Sequence, residues 1–297
     1  MRHVISDAEG DFAVPEDELL VSIQILTFCE LDELEIVQWS ALHGSMLNSS
    51  TPSDPCGFHR EPFGDAAPSA SWAGAQFYAW SVAPSVLLLD IDGTLVDNTR
   101  QHIAAWAEAF KALGHPVADE TLRRNIGKGG DLFVKAVAGE EWDGQHGDAA
   151  RELHGKAYMK RTSEVRPVPG VRQFLDGLRE LEVRPLLASS SNPDEVKANL
   201  AVIGETPDHF LIVDKDDIET SKPAPDVFGV ALQRAGTSPQ QAAAVGDTRW
   251  DAEAAVKVSV VFYGVLTGSG RREELEGGGA KLVFPDLLSL LAFLRSH

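Results

Sequence analysis

Residues 86–98 read VLLLDIDGTLVDN, and the reading of that stretch decides the fold. VLLLD (86–90) is a short, continuous apolar run, the pattern of a strand buried on both faces of a parallel sheet. Similar runs recur at 184–189 (RPLLAS), 209–213 (HFLIV), 242–246 (AAAVG), 259–264 (SVVFYG) and 281–284 (KLVF). Helical patterns separate them at 171–181, 193–204, 225–236 and 249–258. Strand and helix in alternation predict an α/β fold, a doubly wound parallel sheet. Such sheets bind ligands outside the carboxyl ends of their strands, so the residues just past those ends carry the functional reading.

Four strand ends bear chemistry. After the first come Asp90-Ile91-Asp92-Gly93-Thr94. Two carboxylates two residues apart fall on one side of an extended chain, and a glycine then permits a sharp turn. After the second come Ser189-Ser190-Ser191-Asn192-Pro193-Asp194-Glu195. Asn192 as N-cap with Pro193 behind it starts a helix whose free N–H groups, with the Ser189 hydroxyl, suit an anion. Ser221-Lys222-Pro223 presents one cation on a backbone stiffened by proline. Gly246-Asp247-Thr248-Arg249-Trp250-Asp251 sets two carboxylates four apart, one helical turn. Clustered carboxylates repel one another without a cation between them, and an all-oxygen donor set suits a hard ion, Mg²⁺.

The motifs LLLDIDGTLVDN, LLASSSN, SKPAPDVF and VGDTRWDAEAA occur in that order. From about Val86 to its end the chain resembles the haloacid dehalogenase (HAD) superfamily hydrolases. The closest resemblance is to the subfamily of phosphoglycolate phosphatases and β-phosphoglucomutases. It implies a Rossmann-like core (86–98 and 167–297) with a small α-helical cap inserted at 99–166, whose helices are expected at 99–114, 118–126, 130–139 and 148–163. It implies an enzyme, a phosphoric monoester hydrolase working through an aspartyl phosphate. By resemblance Asp90 is the nucleophile and Asp92 the general acid and base. Ser189 holds a phosphoryl oxygen, and Lys222 steadies the developing charge. Asp90, the backbone carbonyl of Asp92, and Asp247 would bind Mg²⁺, with Asp251 supporting it. Thr94, Ser190 and Asn192 on the strand ends are the expected substrate contacts, together with Lys128, Gly129 and His102 on the cap. The Gly-rich loop 127–131 (GKGGD) would face the mouth of the site, with His102 and Trp106 on one helical face beside it. The implied substrate is a small phosphomonoester, of the phosphoglycolate or sugar phosphate type. A sugar phosphomutase is the alternative; related mutases place an arginine near the position of Gly130. A noncatalytic regulatory protein on the same fold is the other alternative, against which the intact acidic residues speak. A dehalogenase would lack Asp92 and the metal carboxylates.

Of the 297 residues, 43% are apolar and 24% charged, as in globular proteins and unlike collagenous or wholly disordered chains. No apolar run is long enough to span a bilayer, and the first residues lack the apolar core of a signal peptide. The expectation is a cytoplasmic protein, monomeric or a small homo-oligomer, without membrane partners. The formal charge of −19 argues against nucleic acid as a partner. Residues 1–85 hold 13 acidic and 2 basic residues, a net of −11, and read as a poorly ordered extension. Within them 18–42 is apolar enough for a helix or two, and 44–84 has the Ser/Pro/Gly/Ala composition of a linker. A translation start just before Val86 is a further reading of this extension. Cys29, His43, Cys56 and His59 match no zinc spacing.

Overall fold

The computed structural model of the chain describes residues 84–296. The readings of 18–42, of the linker and of Cys29, His43, Cys56 and His59 lie outside the described residues.

The quoted stretch forms β1 (Val86–Leu89), and all four of its side chains are buried. Six parallel strands make the sheet. β5 (Leu211–Val213), β4 (Arg184–Ala188), β1, β6 (Ala242–Gly246), β7 (Val261–Val265) and β8 (Leu282–Phe284) lie in that order across it. The alternation of a strand divides the core in two. Leu87 and Leu89 join the cluster beneath α5 (Val171–Glu180), α6 (Pro193–Val202) and α10 (Leu287–Ser296). Val86 and Leu88 join the opposite one, beneath α7 (Asp226–Ala235), α8 (Arg249–Lys257) and α9 (Arg272–Gly278). Helices therefore cover both faces, the doubly wound arrangement.

Between β2 (Val96–Asp97) and β3 (Arg166–Pro167) the chain leaves the sheet and returns. The two pair antiparallel, Val96 with Pro167 and Asp97 with Arg166. The intervening residues form α1 (Thr99–Ala112), α2 (Asp119–Asn125), α3 (Gly130–Ala138) and α4 (Glu140–Met159). These helices have a core of their own around Trp106, Phe110, Leu122 and Phe133.

The structure departs from the local patterns in a few places. α4 begins at Glu140 rather than 148, because Trp142 packs on Phe110 and His115 and so holds a Gly-containing first half that has little helical signal of its own. The run at 209–213 contributes a strand only from Leu211, after a 3₁₀ turn at Pro207–His209. Helices α9 and α10 and the β2–β3 pair add to the expected elements. Among the described residues no helix is long and apolar enough to cross a membrane.

Candidate active site

The carboxyl ends of β1, β4 and β6 converge with the loop after β5. Asp90 continues β1 and donates its backbone N–H to Val245 O at 2.9 Å. Gly93 makes the turn that follows with φ of 80°, and a Cβ there would stand 2.6 Å from Asp247 Oδ2. Both the left-handed backbone and the close approach require glycine at that position. Thr94 Oγ1 donates to Asp90 Oδ2 at 2.9 Å. Lys222, 1% exposed, donates its ammonium to Asp90 Oδ1 at 2.6 Å and to Ala188 O at 2.8 Å. The same ammonium lies 2.8 Å from Asp251 Oδ1. Asp251 in turn accepts at Oδ2 from the N–H and hydroxyl of Thr248, the N-cap of α8, at 3.2 and 2.5 Å. Asp247 Oδ2 accepts from the Ser269 N–H at 2.8 Å, while its Oδ1 is buried without a partner.

Asp90, Asp247 and Asp251 thus bring carboxylate oxygens within 4.8 Å of one another. Burial and the negative charges of Asp251 and Asp92 push the Asp90 carboxyl up to about 7, against the pull of Lys222. Burial, with Asp251 and Asp90, holds Asp247 well above the usual carboxylate range. Burial opposes the charge on Lys222, but Asp251 and Asp90 raise its pKa above the ordinary lysine value. One ammonium leaves this group of acids short of positive charge. The buried, unpartnered oxygen of Asp247 and the oxygen-only donors fit a hard divalent cation such as Mg²⁺.

The Asp92 carboxylate is not in this cluster. Its Oδ1 accepts from Asn98 Nδ2 at 2.5 Å and Asn199 Nδ2 at 2.8 Å, with His102 Nε2 at 3.2 Å. Its Oδ2 accepts from Ser191 Oγ at 2.7 Å and, more weakly, from Ser189 Oγ at 3.4 Å. Burial alone would raise Asp92, but His102, Asn98 and Ser191 together hold it well below the usual carboxylate range. His102 moves the opposite way: burial opposes its charge, but Asp92 raises its pKa.

A cavity of about 230 Å³ opens onto Asp90, Asp92 and Asp247. His102, Lys128, Gly129, Ser190 and Asn192 line it, as does Trp106. Thr94 and Ser189 lie fully buried beneath it. Ser190 Oγ accepts from the Lys222 N–H at 3.4 Å, and Asn192 Oδ1 caps α6 by accepting from the Glu195 N–H at 3.0 Å. Lys128 Nζ donates to Asn125 Oδ1 at 2.9 Å and stands 4.3 Å over the Trp250 ring. Trp250 Nε1 donates to Ile126 O at 3.1 Å, so the α2–α3 loop is seated on the start of α8.

Several residues here escaped the reading of the motifs. Asn98, Asn199 and Tyr158 form one network around Asp92, with Tyr158 donating to Asn199 Oδ1 at 2.6 Å. His154 Nε2 lies 3.2 Å from His102 Nδ1, and its ring stacks on Trp106 at 4.0 Å. Asn98 with His102, and His154 with Tyr158, are each four apart on a helix; that spacing was the available signal.

Residues 84–258 match the family model described as haloacid dehalogenase-like hydrolase. A phosphoglycolate phosphatase of Pseudomonas putida is 30% identical over 215 residues, 70% of this chain and 79% of that protein. Phosphoglycolate phosphatase 1 of Pseudomonas aeruginosa is 31% identical over 230 residues, 74% of this chain and 82% of that one. A hydrolase from Pseudomonas syringae of known crystal structure superposes with a TM-score of 0.68 at 31% identity, covering 71% of this chain and 98% of that one. With a family model matching more than half of its length and relatives at this level of identity, the chain belongs to the haloacid dehalogenase-like hydrolases.

Proposed function

We propose that the protein is a Mg²⁺-dependent phosphatase that hydrolyses a small phosphomonoester, of the phosphoglycolate or sugar phosphate type, through an aspartyl phosphate. The observation that carries this reading is Asp90 itself, a buried carboxylate held at 2.6 Å by the Lys222 ammonium beside the Asp247–Asp251 pair. Two of the relatives bear the name phosphoglycolate phosphatase, which supports the same reaction class.

Asp90, Asp247 and Asp251, with the backbone carbonyl of Asp92, would hold the cation. When bound, Mg²⁺ neutralises charge on the transferring phosphoryl group. An Asp90 oxygen attacks phosphorus, and the bond to the ester oxygen breaks. Asp92 delivers a proton to that oxygen, and the alcohol departs. Asp92 then takes a proton from water, whose oxygen attacks the acyl phosphate and frees Asp90 and inorganic phosphate. The opposite displacements of Asp92 and His102 mean that one proton resides on the pair, mainly on the imidazole, 3.2 Å from where it is used. Lys222 balances the charge of the nucleophile and of the transition state. Ser189 is assigned to a phosphoryl oxygen.

A mutase must hold a second phosphate. The guanidinium beside Gly130 belongs to Arg151, and Asp143 and Asp148 already occupy it at 2.6 and 2.9 Å, which favours hydrolysis. Phosphate release from a panel of phosphomonoesters with Mg²⁺ tests the reading. Chelation by EDTA should abolish release, Mg²⁺ should restore it, and Ca²⁺ should restore it poorly because it prefers more ligands at longer distances. Asp90→Asn should lower kcat by at least about 10³-fold while the protein stays folded. Release that survives exhaustive chelation or that substitution would overturn the scheme.

A further inference from the structure

Glu195 stands in the first turn of α6 and is only 3% exposed, yet it lines the cavity that contains Asp90. Its Oε1 accepts no hydrogen bond. His154 Nδ1 lies 3.9 Å from that oxygen, beyond hydrogen-bond reach. A buried carboxylate oxygen without a donor is costly, so native structures rarely leave one without a purpose. Gly155 of α4 faces it. A Cβ there would stand 3.6 Å from Glu195 Oε1 and 3.8 Å from Asn192 Nδ2, so an acceptor and a donor converge on a position without a side chain.

The cations of the same cavity are engaged elsewhere. Arg151 is bound to Asp143 and Asp148. Lys215 lies 4.0 Å from Asp131 Oδ1, and Lys128 is bonded to Asn125 and seated over Trp250. The wall around Glu195 therefore offers negative charge and hydrogen-bonding groups rather than a free cation.

We infer that the part of the substrate beyond the phosphoryl group is a neutral polyol or sugar, one hydroxyl of which donates to Glu195 and accepts from Asn192 Nδ2; this rests on the phosphatase reading above. A hydroxyl donates and accepts at once, whereas an ammonium only donates and a carboxylate only accepts. A carboxylate at that place would also meet Glu195 as a like charge. The prediction is that 2-phosphoglycolate is a poor substrate, although relatives carry its name.

The test is steady-state phosphate release by the full chain with Mg²⁺. The substrates are 4-nitrophenyl phosphate, 2-phosphoglycolate, phosphoethanolamine, glycerol 3-phosphate and a set of pentose and hexose phosphates. At least one polyol or sugar phosphate should exceed 2-phosphoglycolate in kcat/KM by about tenfold or more. Glu195→Ala should lower the ratio of kcat/KM for that substrate to kcat/KM for 4-nitrophenyl phosphate by about tenfold or more. Glu195→Gln keeps an acceptor oxygen and should lower the ratio less. Preference for 2-phosphoglycolate or phosphoethanolamine overturns the inference, as does a ratio unmoved by Glu195→Ala. Release from 4-nitrophenyl phosphate with none from any polyol or sugar phosphate overturns it too and leaves the phosphatase reading standing. No release from any of the esters overturns the phosphatase reading itself.

Discussion

Lys222 is the one side chain whose ammonium touches both Asp90 and Asp251, and it does so while buried. Removing one partner of a buried ion pair leaves the other charge uncompensated, at a cost of about 3–5 kcal/mol. Lys222→Met should therefore lower the thermal midpoint by roughly 10 °C in metal-free buffer, by the usual scaling for a domain of this size. Mg²⁺ should recover part of that loss, because the cation supplies charge to the same carboxylates. Scanning calorimetry with and without Mg²⁺ measures both, and a midpoint indifferent to the substitution would mean that Lys222 does not balance the cluster. The same carboxylates give the metal-free protein a characteristic pH dependence. The folded pKa of Asp90 is raised to about 7, and that of Asp247 is raised as well, so between the ordinary carboxylate pKa and about 7 the folded state binds more protons than the unfolded state. Stability from these groups is thus present below about pH 4 and is lost as pH rises toward 7. Urea midpoints of the metal-free protein across that range should show this contribution, and saturating Mg²⁺, which binds the ionised carboxylates, should reduce it. Midpoints with the same pH dependence at saturating Mg²⁺ as without it would separate these acids from the cation.

At the scale of elements, the α2–α3 loop shows how glycine spacing serves a contact rather than a turn alone. A Cβ at Gly129 would stand 2.1 Å from Ser221 Cβ, next to Lys222, and one at Gly127 would stand 2.6 Å from Thr248 Cγ2. The Asp131 carboxylate accepts from the Ser221 N–H at 3.1 Å, and Trp250 reaches back to Ile126. The loop is therefore pinned to two strand ends. Gly129→Ala should lift it from Ser221 and lower kcat/KM by about tenfold or more, as small displacements of positioning groups do. Its thermal midpoint should shift by only a few degrees, since the core of α1–α4 lies elsewhere. A variant with unaltered kinetics would show that the loop does not position the site. The pairing of β2 with β3 is the companion feature: it brings the exit and the return of the helical segment side by side at the edge of the site.

For the whole molecule, the catalytic sheet needs nothing before β1 to complete its hydrogen-bonded order or its two cores. Ser85 already joins the sheet by donating its N–H to Gln241 O at 3.0 Å. A chain beginning near Ala83 should therefore fold and keep its kcat. Side-by-side thermal midpoints and kcat values for the full and shortened chains check this. A fall of many degrees, or loss of soluble protein through an exposed apolar patch, would show that residues 18–42 belong to the fold.

The sequence by itself determined the sheet, since buried parallel strands announce themselves as apolar runs and β6 begins and ends where AAAVG does. It also named Asp90, Lys222, Asp247 and Asp251, because each follows a strand end within a few residues and local spacing is enough to align them. It was less informative where the signal is weak or double. The Leu-rich α10 (LLSLLAFLRS) has apolar residues on most of its faces, and the two-residue β2 and β3 are too short for any period. Only the tertiary structure decided the surroundings of Asp92. Asn199 reaches it across 107 residues and Ser191 across 99, while His154 meets His102 across 52. No periodicity links such positions. The helical insertion folds back over the sheet, and packing brings α1, α4 and α6 to one carboxylate and leaves Glu195 beside it with an unfilled acceptor.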